Sequence, residues 1–199
     1  EYIVKTIVTT ETIKTIADRN GVGFYDVYTG FKWIANVMKQ NEGKLKYIGG
    51  GEESYGFLCE DFVRDKDAVS ACAVLAEIAA WAKDQGMTMY QLLQKIYVEY
   101  GFSKEKGISV VKKGKSGAEE IEAMMKHFRE NPLKEIAGSK VTAFYDYSTL
   151  KGIDYLENET LTLDMPVTSN VLQFFTEDGT KVSIRPSGTE PKIKFYCEV

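Results

Sequence analysis

A single histidine, His127, and three scattered cysteines, Cys59, Cys72 and Cys197, are all the imidazole and thiol chemistry these 199 residues contain. The cysteines are odd in number and form no Cys-x-x-Cys pair, so neither a disulfide framework nor a zinc site is supported. A reducing cytoplasm is the compartment this usage predicts. Charge of one sign is lacking too: 25 basic and 29 acidic side chains leave a net charge of -4. So mild an excess provides no field that gathers nucleic acid. Every apolar run is too short or too often interrupted by charge to span a bilayer, and the first residues show no signal-peptide pattern. Repeats and low-complexity stretches are absent. What remains is an ordinary globular composition, 44% hydrophobic and 27% charged. The length suffices for one large domain or two small ones.

The first hundred residues alternate between two hydrophobic periods. Residues 3–9 are β-branched and read as a strand, and 11–20 as a helix closed by Gly21. Residues 23–28 repeat the strand pattern, 31–40 the helix, and 45–48 form a third strand before a run of glycines. This β-α-β-α-β order predicts a parallel sheet with helices on its faces. Residues 67–84 are apolar on nearly every side (Val69, Val74, Leu75, Ile78, Trp81) and predict a helix buried in the layers. Thr88 followed by Gln91 is a capping-box signature for the next helix, which Gly101 ends.

From about Phe102 the pattern changes. A short strand at 108–111 precedes a second capping-box signature, Ser116 with Glu119, opening a helix with Ile121, Met124, Met125 and Phe128 on one face. Strands at 141–145, 171–175, 182–184 and 193–197 follow, the middle pair joined by a four-residue hairpin loop at 177–180. The fold class expected is α/β, a parallel-sheet domain over 1–102 followed by a smaller α+β domain with a mostly antiparallel sheet over 103–199. Their net charges are -3 and -1. The aromatics Phe144, Tyr145 and Tyr147 read as strand packing, Cys59 and Cys72 as buried thiols, and His127 as structural or exposed.

Two loops carry chemistry. Gly49-Gly50-Gly51-Glu52-Glu53-Ser54-Tyr55-Gly56 follows a strand, where ligands of open α/β sheets bind. Two carboxylates there repel a phosphate, whereas carboxylates and a serine hydroxyl accept hydrogen bonds from the vicinal hydroxyls of a sugar. A solvated acidic turn is the other reading. Arg185-Pro186-Ser187-Gly188-Thr189-Glu190-Pro191 lies between two strands. Arginine holds phosphate oxygens bidentately, two hydroxyls add donors, and a turn at Gly188 can aim backbone N–H groups at an anion. An ordinary turn is the alternative there. With one loop suited to hydroxyls and the other to a phosphate, a phosphorylated sugar is the ligand expected.

On these residues the chain resembles the C-terminal half of the α-D-phosphohexomutases, a family that takes in phosphoglucomutases, phosphomannomutases and phosphopentomutases. Gly51-Glu52-Glu53-Ser54-Tyr55-Gly56 is similar to the sugar loop of the family's third domain, and Arg185-Pro186-Ser187-Gly188-Thr189 to the phosphate loop of its fourth. Thr29-Gly30-Phe31-Lys32 resembles the segment whose lysine approaches substrate, and Arg64-Asp65-Lys66-Asp67 is typical of the glucose- and pentose-type branch. The resemblance implies sugar contacts from Glu52, Ser54 and Lys32, and phosphate contacts from Arg185, Ser187, Gly188 and Thr189. It also implies reversible phosphoryl transfer through a phosphoserine and a hexose bisphosphate. The family's phosphoserine loop and its Asp-x-Asp-x-Asp-Arg magnesium loop are absent; Asp65-Lys66-Asp67 reads as the cap of a helix. No catalytic residue and no metal ligand is therefore expected in this chain. It reads as a fragment whose N-terminal domains hold Mg2+ and the serine, and which is inactive alone. A non-catalytic phosphosugar-binding module, a phosphopentomutase and a nucleic-acid-binding module are the other readings. No membrane or nucleic-acid partner is expected.

Overall fold

The structure, a computed structural model, describes residues 1–112, 114–188 and 190–199. The chain divides into two compact units, Glu1–Ser103 and Lys104–Val199.

In the first unit β1 (Tyr2–Thr6), α1 (Thr12–Arg19), β2 (Gly23–Val27), α2 (Phe31–Asn41) and β3 (Tyr47–Gly51) follow the expected β-α-β-α-β order. Strands β2 and β3 lie parallel to β1 on either side of it. A fourth strand, β4 (Phe57–Cys59), turns back antiparallel to β3 and gives the order β2-β1-β3-β4. Side-chain alternation sends Tyr2 and Val4 of β1 to one face, where Phe31, Ile34, Val37 and Met38 of α2 close over them. Lys5 is fully buried, bonded to Asp26 at 2.8 Å and to Glu11 at 3.1 Å.

Several features differ from the sequence reading. The glycines at 49–51 belong to β3 rather than to a loop. A Cβ at Gly50 would stand 2.4 Å from the Val4 carbonyl oxygen and 2.7 Å from the Tyr47 hydroxyl, so close packing against β1 is what the glycine serves. The second is α3 (Ala68–Asp84), of which only Ala82 is fully buried, while Val69 is 79% and Trp81 50% exposed. Apolarity all round a helix calls for neighbours on every side. Among the described residues β4 and α4 (Met89–Tyr100) are the main elements packed on it. Cys72, on this helix, is exposed rather than buried. Both helices start where expected: Asp67 accepts from the Val69 and Ser70 amides, and Thr88 with Gln91 forms a complete capping box.

The second unit consists of β5 (Glu105–Val111), α5 (Gly114–Glu130), β6 (Glu135–Ile136), β7 (Ser139–Asp146), β8 (Lys151–Asp154), β9 (Glu159–Thr162), β10 (Leu172–Thr176), β11 (Lys181–Pro186) and β12 (Lys192–Glu198). Its sheet is antiparallel throughout, ordered β5-β12-β11-β10-β7-β8-β9, with β6 paired to β7. Helix α5 already runs through Ser116, so that serine is not its cap. Ile121 and Met125 of α5 pack on Phe144, Leu172, Phe174, Ile184 and Ile193. Residues alternating with these make a polar buried layer: Tyr147 donates to Gln173 at 2.6 Å, Gln173 to Ser183 at 2.8 Å, and Lys181 pairs with Glu198 at 3.0 Å. The aromatics pack within the sheet, Phe144 on Phe174 at 5.0 Å and Tyr145 on Phe175 at 4.8 Å.

Candidate active-site loops

In a sheet ordered 2-1-3, the order of winding across the sheet reverses between β1 and β3, and ligands of open α/β sheets bind at the carboxyl ends of strands beside such a reversal. Both candidate segments of the first unit leave the sheet at that end. Thr29-Gly30-Phe31-Lys32 follows β2, and Glu52 to Gly56 follow β3. Glu52 donates its amide to the Gly56 carbonyl at 2.7 Å, which pinches the segment into a tight turn between β3 and β4. Tyr55 takes φ 65° inside that turn and its ring is wholly in solvent.

The two segments touch. Glu52 Oε1 accepts a hydrogen bond from the Gly30 amide at 2.6 Å. Gly30 holds φ 114°, a conformation that glycine adopts without strain, at the position capping α2. From there Phe31 turns inward, 4% exposed, while Lys32 is exposed with its ammonium 5.1 Å from the Trp33 ring centre. Lys66, from the Arg64-Asp65-Lys66-Asp67 run, lies over the Phe31 ring at 5.7 Å. Thus three segments far apart in sequence meet around the start of α2. Ser54 is exposed on the turn. Burial pushes the Tyr28 phenol, beside Thr29, up to about 12.

The turn borders a cavity of about 570 Å³ lined by Glu52 and Tyr55 together with Ile3, Ile13, Phe57, Val74, Leu75 and the β3 glycines. Its walls are largely apolar, and Glu52 is the one carboxylate among the described residues lining it.

In the second unit Arg185 stands near the end of β11, half-buried and directly opposite Lys194 of β12. It alternates with the core residue Ile184 and so faces away from α5. Two like charges opposite each other on neighbouring strands destabilise a sheet unless an anion lies between them. Sequence reading passed over Lys194; the signal that finds it is strand register. Beyond Pro186 the Ser187 amide donates to the Lys192 carbonyl at 2.8 Å, closing the β11–β12 connection. That amide is therefore engaged within the turn, contrary to an open nest of N–H groups. Gly188 is exposed, and Thr189 lies outside the described residues. Glu190 pairs with Lys192 at 2.5 Å, and this lysine holds the Glu190 carboxyl below the usual carboxylate range. On the α5 side a cavity of about 300 Å³ is bounded by Glu122, Asn170, Ser187 and Glu190.

Among the described residues no three His, Cys, Asp or Glu side chains stand close enough to hold a metal ion. Asp65 bonds Lys66 and Asp67 caps α3, so that acidic run is used locally. Among the described residues no helix is long and apolar enough to cross a membrane. His127 is exposed near the end of α5.

Comparison with known proteins accounts for almost the whole chain. Residues 1–100 match the family profile described as phosphoglucomutase/phosphomannomutase, alpha/beta/alpha domain III. Residues 110–199 match the profile of the same family's C-terminal domain. A phosphoglucomutase of Staphylococcus aureus strain MRSA252 is 40% identical over 197 residues, which is 99% of this chain and 35% of that protein. The phosphoglucomutase of strain USA300 is 39% identical over the same coverage. The chain thus spans about a third of the length of these relatives. Among solved structures, the exocytosis-sensitive phosphoprotein pp63/parafusin of Paramecium, a phosphoglucomutase in its open form, superposes with a TM-score of 0.68 at 21% identity. That likeness covers 99% of this chain and 33% of the Paramecium protein.

Proposed function

Because this chain belongs to the phosphoglucomutase/phosphomannomutase family, we propose that it is the substrate-holding part of a phosphohexomutase. The full enzyme moves a phosphoryl group reversibly between positions of a hexose phosphate, through a phosphoserine and a bisphosphorylated sugar. Lys32, Glu52 and Ser54 hold the sugar hydroxyls, and Arg185, Ser187, Gly188 and Thr189 hold the phosphate that is not being transferred. The reading rests above all on the Glu52 carboxylate, set at the carboxyl end of β3 and tied at 2.6 Å to the segment leading into Lys32.

The chemistry follows from the residue types. A carboxylate accepts from two neighbouring hydroxyls, a pattern that survives when the sugar is turned end for end. A guanidinium holds two phosphate oxygens in a fixed plane and stays charged at any working pH. Holding the spectator phosphate and the ring positions the hydroxyl for attack, and positioning is a large share of catalysis in phosphoryl transfer. Magnesium, which the family implies, finds no cluster among the described residues and belongs to the rest of the enzyme. When bound it neutralises charge on the transferring group. The remaining domains of the same chain are the partner this part requires, and the cytoplasm is the compartment proposed.

Calorimetric titration with glucose 1-phosphate, glucose 6-phosphate and mannose 6-phosphate tests the assignment. The Arg185→Ala protein is expected to lose phosphate-dependent binding while its amide spectrum stays folded. Sugar-phosphate binding unchanged by that substitution would overturn the role given to Arg185.

A further inference from the structure

The contacts around Glu52 go beyond a hydroxyl-binding acid. Its Oε1 is bonded to the Gly30 amide at 2.6 Å. Its Oε2 passes so close to Gly56 that a Cβ on that glycine would stand 3.0 Å from the oxygen and 3.3 Å from both Cβ and Cγ of Glu52. The Gly56 carbonyl is held by the Glu52 amide at 2.7 Å, in space that a Cβ on Gly51 would enter, 2.6 Å from that oxygen. The carboxylate is therefore wedged, with an amide donor on one oxygen and a bare α-carbon beneath the other. We infer that Gly30 and Gly56 are positioning residues that hold the Glu52 carboxylate ready for a sugar, an inference that rests on the hydroxyl-binding role proposed above.

A glutamate free in solvent gives up several rotamers when it grips a ligand, and that loss is subtracted from affinity. Here the loss is taken when the turn folds. The donor is well chosen, because an amide beside the first turn of α2 adds the positive end of the helix to an ordinary hydrogen bond. Gly30 occupies one of about four acceptor directions of the carboxylate. The others serve hydroxyls, with the plane of the group already fixed. The glycines of this turn thus do not cradle a phosphate; they clear space for one carboxylate.

A double-substitution cycle read by calorimetry with glucose 6-phosphate, alongside amide NMR spectra, decides the matter. Gly56 has no positive φ, so Gly56→Ala forces no left-handed backbone, and the three atoms nearest its new Cβ all belong to Glu52. It is expected to weaken binding about three- to tenfold, the cost of one freed side chain. In the Glu52→Ala background the same substitution should change nothing, because its effect passes through Glu52. The Gly30 amide resonance should move toward a free amide in Glu52→Ala and stay in Glu52→Gln, whose amide oxygen still accepts. Equal weakening by Gly56→Ala in both backgrounds, or a Gly30 resonance indifferent to Glu52→Ala, overturns the positioning role and leaves the function standing. No binding of glucose 6-phosphate by the unsubstituted chain overturns both.

Discussion

Lys5 is the side chain whose burial most needs explaining. Its ammonium is sealed from solvent yet bonded to Asp26 of β2 and Glu11 before α1. It therefore ties β1 to the neighbouring strand and to the loop that leaves its carboxyl end. Taking away the charge while keeping the stem, as in Lys5→Met, leaves two carboxylates without their shared cation. Breaking a buried pair costs about 3–5 kcal/mol, and the low end applies because both carboxylates keep about a third or more of their surface in water. Urea denaturation followed by far-UV circular dichroism is expected to show a loss of about 3 kcal/mol. A change under about 0.5 kcal/mol, the size of an ordinary surface substitution, would mean the pair contributes nothing.

Among the elements, the β10–β11 hairpin has the clearest dependence on pH. Thr176 donates its hydroxyl to Asp178 at 2.5 Å and the Thr180 amide donates to the same oxygen at 3.1 Å. The Thr176 hydroxyl first, then the Thr180 amide, pull the Asp178 carboxyl down to about 2. A depressed carboxylate lends stability above its unfolded value of about 3.9 and loses it as pH falls through the folded value. The hairpin should thus hold at pH 4 and weaken toward pH 2. A carboxyl carbon NMR titration is expected to place the Asp178 midpoint near 2; a midpoint near 4 would show the turn bonds absent. The Asp178→Asn protein should lose this part of the acid response. Helix α3 makes the opposite point: Asp67 caps it as composition suggests, yet its apolar flank is largely uncovered. A helix start is set by neighbours within four residues, whereas burial depends on whatever packs from far away.

For the molecule as a whole, the 199 residues stand against relatives about three times longer. The substrate-holding role proposed above, without a phosphoryl-donating group, predicts binding without turnover. A coupled assay with glucose 1-phosphate and glucose 1,6-bisphosphate is expected to show no formation of glucose 6-phosphate by this chain. Sustained turnover from a preparation free of other mutases would overturn that division of labour.

What was legible in the sequence was whatever a few neighbouring residues decide. The Thr88–Gln91 capping box, the Asp67 cap and the β10–β11 hairpin all depend on contacts a turn or a few residues apart. The composition of the two loops was legible as well, because a carboxylate or a guanidinium has the same chemistry wherever it lies. The tertiary structure alone decided that the β3 glycines are strand, that Gly30 reaches Glu52 across 22 positions, that Lys194 faces Arg185, and that α3 leaves its flank open. Short strands such as β4, β8 and β9 were illegible for the same reason. Each is held by hydrogen bonds to a partner strand, and no periodicity within three or four residues records who that partner is.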